Sequence, residues 1–501
     1  MQTNNLNDAP VLVVGAGIMG VGIAQVAAQA GHSVMLLDAR SGAAEAAKAK
    51  LAQSMVALVA KGKLSADAVA QTLGRIAPVA TVHDAGTAYL VVEAIVENLD
   101  AKRALFHQLE SVVGADCILA TNTSSISVTA IANGLLHPRR LVGMHFFNPV
   151  PLMKLVEVVS GLQTDAAVAE AIFALCKHWG KVPVHARSTP GFIVNRIARP
   201  FYAETLALLQ EQAITPAVMD ACWRSAGFRM GPCELMDLIG HDTNFAVTQS
   251  VFEANFYDKR YAPSLMQREM VDGGLLGRKS GRGFFGYGPD AVKPTVTQFT
   301  APAFPSVRAL HLHGQGPVAQ RLVAGLATLG LTFSHLPDSD WTGLEIDDHY
   351  LRLTDGRAAS SLGPNAAVFD LPLLTQPGVA LAWAASASGS PAWVAQADQC
   401  LQALGFAAQQ VADVPGLVVA RTVAMLINEA SDAVHQGVCS AQGADEAMQL
   451  GVNYPAGPFQ WLALWGVPAV VHLLDQLDAH YRGERYRVSP GLRHRLWQTT
   501  A

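Results

Sequence analysis

Residues 143–159 read GMHFFNPVPLMKLVEVV, with one histidine, His145, between a methionine and two phenylalanines. An imidazole, with an ordinary pKa of about 6.5, accepts and returns protons near neutral pH. Taken alone, a histidine among Met144, Phe146 and Phe147 packs as a core residue. Glu157 is harder to dismiss, because a carboxylate inside the apolar run LVEVV is rarely buried without a partner. Pro149 and Pro151 restrict the turn that separates the two.

A second constellation lies near the N-terminus. VLVV runs into the turn Gly15-Ala16-Gly17-Ile18-Met19-Gly20, then into the alanine-rich helical pattern GIAQVAAQAG and a second strand, HSVMLLD, ending at Asp38. Glycines here permit a tight turn and close approach of backbone to a pyrophosphate, and the helix N-terminus turns partial positive charge toward it. Asp38 stands 23 residues after Gly15, where it would meet a ribose hydroxyl. An acid there accepts from a free 2′-hydroxyl and repels a 2′-phosphate, so NAD is favoured over NADP, with Arg40 two residues on leaving NADP open. Without the glycines, Asp38 would read as a turn residue ending a strand.

These groups need a scaffold. Further strands are expected at Tyr89–Glu97 and Cys117–Ser124, a helix starting near Leu99, and another over about 165–179. The alternation predicts a parallel sheet with its ligand beyond the strand carboxyl ends, where Glu97, Asn122 and Ser124 fall. After Pro190-Gly191 the pattern becomes apolar-periodic helices, and a stretch rich in Pro, Thr and Ala then reads as a linker. The remainder echoes the front. Gly314-Gln315-Gly316 follows a strand, and Pro190, Gly191, Arg196 and Glu204 recur at Pro415, Gly416, Arg421 and Glu429, a constant offset of 225. Asp220 recurs at Asp445, Arg260-Tyr261 at Arg485-Tyr486, and Gly231-Pro232 at Gly457-Pro458 after a one-residue slip. Duplication is the economical explanation. The copy has no counterpart of HFFNP or NTSS, and Ala420 replaces Asn195, so the second half is expected to be structural, its glycine turn empty.

A chain of 501 residues requires several domains, and 50% hydrophobic with 15% charged residues suffices for their cores. A net charge of −5 without a basic face argues against nucleic-acid partners. Six scattered cysteines form no C-x-x-C pair, which argues against a zinc site or disulfide framework and for small buried hydrophobes in a reducing compartment. No metal is expected. The polar opening MQTNNLNDAP lacks a signal pattern and no apolar run could span a bilayer, so a cytoplasmic location is expected, with no membrane partner.

VLVVGAGIMGVGIAQVAAQAGHSVMLLD, VVEAIVENLDAKRALF, NTSSISVT, GMHFFNPVPLMKLVEVV, STPGFIVNRIARPFYAE and LGRKSGRGFFGY, in this order, resemble the (S)-3-hydroxyacyl-CoA dehydrogenase family. The resemblance covers residues 8–288 and, more weakly, the back half. It implies an α/β plus all-α chain: a Rossmann-type NAD domain over 8–188, a helical domain over 189–288, a linker over 289–304, a degenerate Rossmann-like domain over 305–410 and a second helical domain over 411–501. The implied reaction is oxidation of a (3S)-3-hydroxyacyl-CoA with NAD as cofactor. The family's catalytic histidine falls on His145, the glutamate that orients it on Glu157, and its substrate-oxygen contacts on Ser124 and Asn195. Cofactor contacts fall on Gly15, Gly17, Ile18, Met19, Gly20, Asp38, Glu97, Lys102, Asn122, Ser124, Asn148 and Lys279, and CoA contacts on Ser54 and Lys61.

Each of these has a blander reading. Ser124 could cap a helix, Asn195 could face solvent from a helix, and Lys61 and Lys102 would by default be solvated. The doubled length and RSTPGFIVNRIARPFYAE look most like the double-length branch of bacterial phenylacetate degradation, whose substrate would be 3-hydroxyadipyl-CoA. Alternatives are a 3-hydroxybutyryl-CoA substrate of fatty-acid or butanoate metabolism, a free hydroxy acid, or a non-catalytic NAD-binding protein, the last opposed by retention of all four catalytic positions. Short relatives dimerise through their helical domains. The second helical copy is therefore expected to pack on the first as an internal pseudo-dimer, a homodimer remaining open.

Overall fold

The structure, a computed structural model, describes residues 6–288 and 299–499. Residues 289–298 of the expected linker lie outside them. The chain divides into two compact units, Met1–Arg196 with Gln436–Val452, and Ile197–His435 with Asn453–Ala501.

In the first unit eight strands form one sheet: β1 (Val11–Val14), β2 (Val34–Leu37), β3 (Ile76–Val79), β4 (Leu90–Glu93), β5 (Ile118–Thr121), β6 (Leu141–Phe146), β7 (Leu155–Ser160) and β8 (Val182–Arg187). Their order is β3-β2-β1-β4-β5-β6-β7-β8, with the reversal at β1/β4 that defines the ligand crevice of a doubly wound sheet. Strands β1, β4 and β5 are buried throughout, which explains their continuous rather than alternating hydrophobic runs. The expectation of a parallel sheet needs one correction: β7 runs antiparallel to β6. The turn that reverses the chain is NPVPLMK, too short for a crossover helix. A helix of the back half, Ala441–Gly451, packs in this unit, where Gly451 lies against Leu155 and Val194.

The second unit holds the other sheet, β9 (Leu310–His313), β10 (Ser334–Leu336), β11 (Gly343–Ile346), β12 (His349–Leu353), β13 (Ala366–Phe369), β14 (Val379–Ala385) and β15 (Phe406–Gln410). It retains the opening strand, glycine turn and helix (Pro317–Thr328), with Gly314 and Gly316 both at positive φ. Beyond that turn the resemblance to the front breaks at β11, which is antiparallel to both β9 and β12, and returns at the far edge, where β14 runs antiparallel to β13 as β7 does to β6.

The helical repeat is preserved in the backbone itself. Gly191 and Phe192 have φ of 76° and 46°, and their counterparts Gly416 and Leu417 have 71° and 52°. Inside the second unit the helices Arg199–Gln210 and Val419–His435 pack on each other. Glu204 of the first copy receives Arg421 Nε at 2.6 Å, Arg485 Nε at 3.0 Å and the Tyr486 hydroxyl at 3.0 Å from the second. Glu429 of the second receives the Tyr261 hydroxyl at 2.5 Å and Arg260 Nη1 at 3.6 Å from the first. Equivalent residues thus serve each other in both directions, the pattern of a symmetric interface.

Five cysteines are buried and Cys439 is half-buried, all with free thiols. Burial pushes Cys117 and Cys400 up to about 12, so they stay protonated and unreactive. Among the described residues no helix is long and apolar enough to cross a membrane, and no cluster of side chains could hold a metal ion.

Candidate functional site

The antiparallel register of β6 and β7 sets His145 directly opposite Glu157, so both side chains leave the same face of the sheet. His145 Nδ1 lies 2.6 Å from Glu157 Oε2, and both residues are buried. A carboxylate only accepts, so Nδ1 carries the proton and Nε2 is left as the basic nitrogen. The other carboxylate oxygen accepts the backbone N–H groups of Ile193 at 3.1 Å and Val194 at 2.9 Å, just after the left-handed Gly191-Phe192 pair. Glu157 therefore orients the histidine and fixes the start of the segment carrying Asn195. The rings of Phe147 and Phe192 flank the imidazole at 4.5 and 5.9 Å, so it packs among aromatics while paired with a carboxylate.

Ser124 belongs to a loop gathered around Glu97. One oxygen of Glu97 accepts the Ser124 and Ser125 N–H groups at 2.9 and 3.1 Å, and the hydroxyls of Thr123 and Ser125 at 2.6 and 2.9 Å. Its other oxygen lies 3.2 Å from Lys102 Nζ, which also contacts Glu93 at 2.6 Å. Burial pushes the Glu97 carboxyl up, but Lys102 and these hydrogen bonds outweigh it and hold the pKa below the ordinary value. Lys102 is 1% exposed, which corrects the default expectation of a solvated lysine. Nor does Ser124 cap the next helix; Ser127 does, accepting from Ala130 N–H. Asn195 Nδ2 donates to the Ser124 carbonyl at 3.4 Å, joining the two residues expected to meet the substrate oxygen. Asn122 accepts the Phe146 N–H at 2.8 Å and ties this loop to the histidine strand.

The glycine turn fits a dinucleotide. Gly15 has φ 108°, and a side chain there would meet the Ala94 carbonyl at 2.4 Å. One at Gly20 would strike the Gly15 carbonyl at 1.7 Å, so the helix Ile18–Gln29 can pack this closely only on glycine. Nothing lies within 4 Å of the equivalent point on Gly17, whose place at the helix N-terminus leaves the cradle clear for a phosphate group. Ile18 is exposed above it and Met19 half-buried. Asp38 Oδ2 accepts the Ala16 N–H at 2.8 Å and Oδ1 accepts Arg40 N and Nε at 3.0 and 3.1 Å. Arg40 is thus turned onto Asp38 rather than extended alone.

Asn148 is exposed on the turn after β6. That turn is held by a residue that sequence reasoning missed. Lys181, buried at the start of β8, donates to the carbonyls of Val150 at 2.5 Å and Met153 at 2.8 Å, while Val150 packs on Gly22 of the dinucleotide helix. Its only sequence signal is a lysine opening an apolar strand. Replacing Lys181 by Met leaves two buried carbonyls unpaired, a cost of about 1–3 kcal/mol. We expect KM for NAD to rise roughly tenfold with kcat changed less, measured by steady-state kinetics.

The remaining assignments are more dispersed. Ser54, on the helix Ala43–Ala60, and Lys61, just after it, are exposed, two turns apart on one face; Ser54 Oγ donates to the Lys50 carbonyl at 3.0 Å. Lys279 lies in the second unit and pairs with Asp242. Its loop is anchored by Asp237, which accepts the N–H groups of Phe284 and Phe285 at 2.9 Å and the Tyr287 hydroxyl at 3.0 Å. The second copy also holds an unforeseen counterpart of Glu157. Asp370, following β13, accepts the N–H groups of Val418 and Val419 at 3.0 and 2.7 Å, the repeat-mates of Ile193 and Val194. Its hydrogen-bond partners among the described residues are backbone N–H groups, and burial pushes its carboxyl up to about 6. A carboxylate that holds the start of the helix thus recurs in the second copy, while the sequence there has no counterpart of the HFFNP stretch that carries His145.

Comparison with known proteins agrees with this geometry. Residues 10–189 match the 3-hydroxyacyl-CoA dehydrogenase NAD binding domain, residues 191–287 and again 416–498 match the C-terminal domain of the same family, and residues 351–415 match the reduced Rossmann-fold domain of 3-hydroxybutyryl-CoA dehydrogenase. The chain is 44% identical over 493 residues to the 3-hydroxyadipyl-CoA dehydrogenase of Escherichia coli (strain K12), covering 98% of each. It superposes with TM-score 0.88 on the crystal structure of an Escherichia coli K12 3-hydroxybutyryl-CoA dehydrogenase, at 43% identity over 99% of both chains. The (S)-3-hydroxybutyryl-CoA dehydrogenase of Ralstonia eutropha, 40% identical, matches 56% of this chain and 99% of its own, with TM-score 0.55. With a dinucleotide turn, a paired histidine and a twice-matched helical domain, the chain belongs to the 3-hydroxyacyl-CoA dehydrogenase family, the NAD-dependent oxidoreductases of 3-hydroxyacyl-CoA thioesters.

Proposed function

We propose that this enzyme oxidises (3S)-3-hydroxyadipyl-CoA to 3-oxoadipyl-CoA in phenylacetate degradation in the cytoplasm, with His145 as the general base. The observation that carries the catalytic assignment is the 2.6 Å contact between His145 Nδ1 and buried Glu157. NAD, bound along the glycine turn, supplies the acceptor for the hydride that leaves carbon 3. His145 Nε2 takes the hydroxyl proton as the hydride departs and returns it in the reverse direction. Glu157 stabilises the imidazolium that forms and prevents the ring from turning. Ser124 and Asn195 donate hydrogen bonds to the oxygen as it becomes a carbonyl, and pre-placed donors of this kind lower a barrier by roughly 3 kcal/mol. The Glu97–Lys102–Glu93 chain keeps the Ser124 loop in place during this change.

Ser54 and Lys61 are assigned to the CoA moiety, the lysine for its phosphates. Residues 189–288 and 411–501 act as an internal pseudo-dimer of helical domains, and the reciprocal use of Glu204 and Glu429 supports this. The turn at Gly314 is assigned no nucleotide.

The acyl chain is the open choice, since one full-length relative is named for the adipyl substrate and another for the butyryl. NADH formation from 3-hydroxyadipyl-, 3-hydroxyhexanoyl- and 3-hydroxybutyryl-CoA decides it. We expect kcat/KM for the adipyl substrate to exceed that for the butyryl by roughly tenfold or more, the value of one charge-assisted contact. Equal values, or the reverse order, would favour a butyryl-CoA enzyme.

A further inference from the structure

The helix Ala441–Gly451, with the loop before it, comes from the second copy of the helical domain yet forms part of the first unit. Its placement follows a reciprocal exchange. The Arg187 N–H at the end of β8 donates to the Val438 carbonyl at 2.9 Å, and at the offset of 225 the Ala412 N–H just after β15 donates to the Ala213 carbonyl at 3.0 Å. Ser440 caps the helix Ala441–Gly451 by accepting the Gly443 N–H at 2.9 Å, and Thr215 caps the helix Pro216–Ser225 by accepting the Val218 N–H at 3.4 Å. The first of these helices packs on β7 and the second on β14, in each sheet the strand that runs antiparallel to its predecessor. Each sheet thus carries a helix of the other copy at the same place, as subunits of a symmetric dimer exchange elements.

In the first unit the exchanged helix ends against the catalytic pair. Gly451 is buried and lacks the left-handed backbone that would call for glycine, and its counterpart at the offset of 225 is Ala226, so the repeat tolerates a side chain there. Glycine also weakens a helix relative to alanine. What excludes a side chain is the surroundings. A Cβ on Gly451 would meet Leu155 Cδ2 at 2.6 Å, Val194 Cγ2 at 3.1 Å and Phe147 Cε1 at 3.7 Å. Each of these serves the pair: Leu155 opens β7 two residues before Glu157, Val194 donates its N–H to Glu157 at 2.9 Å, and the Phe147 ring lies 4.5 Å from the imidazole. Leu155 and Val194 are buried, so neither can step aside without displacing its neighbours. The loop before the helix reaches the same region. Gln436 Oε1 accepts Arg196 Nη1 at 2.8 Å, one residue past Asn195. The Cys439 thiol is pushed up to about 12, first by burial and then by the charge of Glu157, with Arg196 opposing.

We propose that Gly451 is a positioning residue of the dehydrogenase reaction. Having no side chain, it lets Leu155, Val194 and Phe147 close around Glu157 and His145, so the copy without an HFFNP stretch supports the base of the other. The inference rests on His145 acting as the general base, as given under the proposed function, and the two fail separately. A His145→Gln variant that still turns over removes the base, whereas an unaffected Gly451 variant removes only the support.

The readout is steady-state NADH formation from the better of 3-hydroxyadipyl- and 3-hydroxybutyryl-CoA. We expect Gly451→Val to lower kcat by about a hundredfold, the effect of displacing a catalytic group by about 1 Å, and Gly451→Ala by about tenfold, with KM for NAD within about twofold of wild type in both. Ser440→Ala is the control for the helix itself: losing its cap should lower the urea midpoint and leave kcat within about twofold. Leu155→Val, which removes the Cδ2 atom, should return most of kcat to Gly451→Ala. Should the valine variant not fold, the alanine variant and its rescue give the reading. A kcat within about twofold of wild type in folded Gly451→Ala overturns the assignment, as does a loss that Ser440→Ala reproduces and Leu155→Val does not relieve.

Discussion

Replacing His145 by Gln should abolish NADH formation while leaving NAD binding intact. Glutamine can still occupy the space between the Phe147 and Phe192 rings and still donate to Glu157, so the strand pair and the dinucleotide turn are undisturbed. It cannot take the hydroxyl proton. Loss of a positioned base typically costs 10²–10⁴-fold, and we expect the upper end, about 10⁴-fold in kcat, because an amide offers no basic nitrogen in place of the imidazole. Turnover and NAD affinity, the latter from calorimetric titration, should therefore separate. A variant within tenfold of wild-type turnover would remove His145 from the mechanism. Loss of NAD binding in parallel with turnover would instead mark it as a structural residue.

The largest effect on stability is expected at Glu204. Fully buried, it is the shared acceptor of Arg421, Arg485 and the Tyr486 hydroxyl. Glu204→Gln keeps the shape and leaves the buried guanidiniums without their counter-charge, a loss of about 3–5 kcal/mol that urea denaturation would read. The acid limb gives a second signature. Burial pushes the Glu204 carboxyl up, but Arg485 and Arg421 outweigh it and leave the folded pKa below the unfolded value of about 4.3. A depressed folded pKa contributes stability that is present above the unfolded value and is lost as pH falls through the folded one. Wild type and variant should therefore differ most near neutrality and converge in acid. The double change Glu204→Gln with Arg421→Met should cost less than the two singles added, since each removes what the other leaves stranded. Equal urea midpoints for wild type and Glu204→Gln would show that the pair contributes nothing to holding the copies together.

Much of the site could be read from the chain because its parts are local. The glycines at 15, 17 and 20 act through one turn and one helix, and Asp38 sits a fixed distance along the same strand–helix–strand unit, so their joint appearance was informative. The helical repeat was legible for a related reason: residues that must meet across a pseudo-symmetric interface keep their spacing, as Glu204, Arg260 and Tyr261 do at Glu429, Arg485 and Tyr486. What stayed hidden depends on contacts between distant segments. Lys102 is a different case: Glu93 and Glu97 are only nine and five residues before it, but the turn from strand to helix that closes them over the ammonium has no signal in residue type. Lys181 carries no motif, and its role appears only when β8 comes to lie beside the turn after β6. Asp370 is not at the repeat offset from Glu157; it reaches the equivalent backbone groups from another strand, which no alignment of the two halves would suggest. The all-parallel expectation failed at β7 because a strand buried on both faces has the same hydrophobic run in either direction.

By itself the sequence determined the family, the cofactor, the recurrence of the helical-domain motif and the two residues, His145 and Glu157, that belong together. It could do so because the constraints involved, a glycine that must lack a side chain or a carboxylate that must not be buried alone, are properties of single residues and short spans. Only the tertiary structure decided that His145 and Glu157 stand opposite each other and which nitrogen of the imidazole is turned to the carboxylate. Those depend on strand register and on the meeting of segments far apart in the chain, where direction and distance are set by packing and not by residue type.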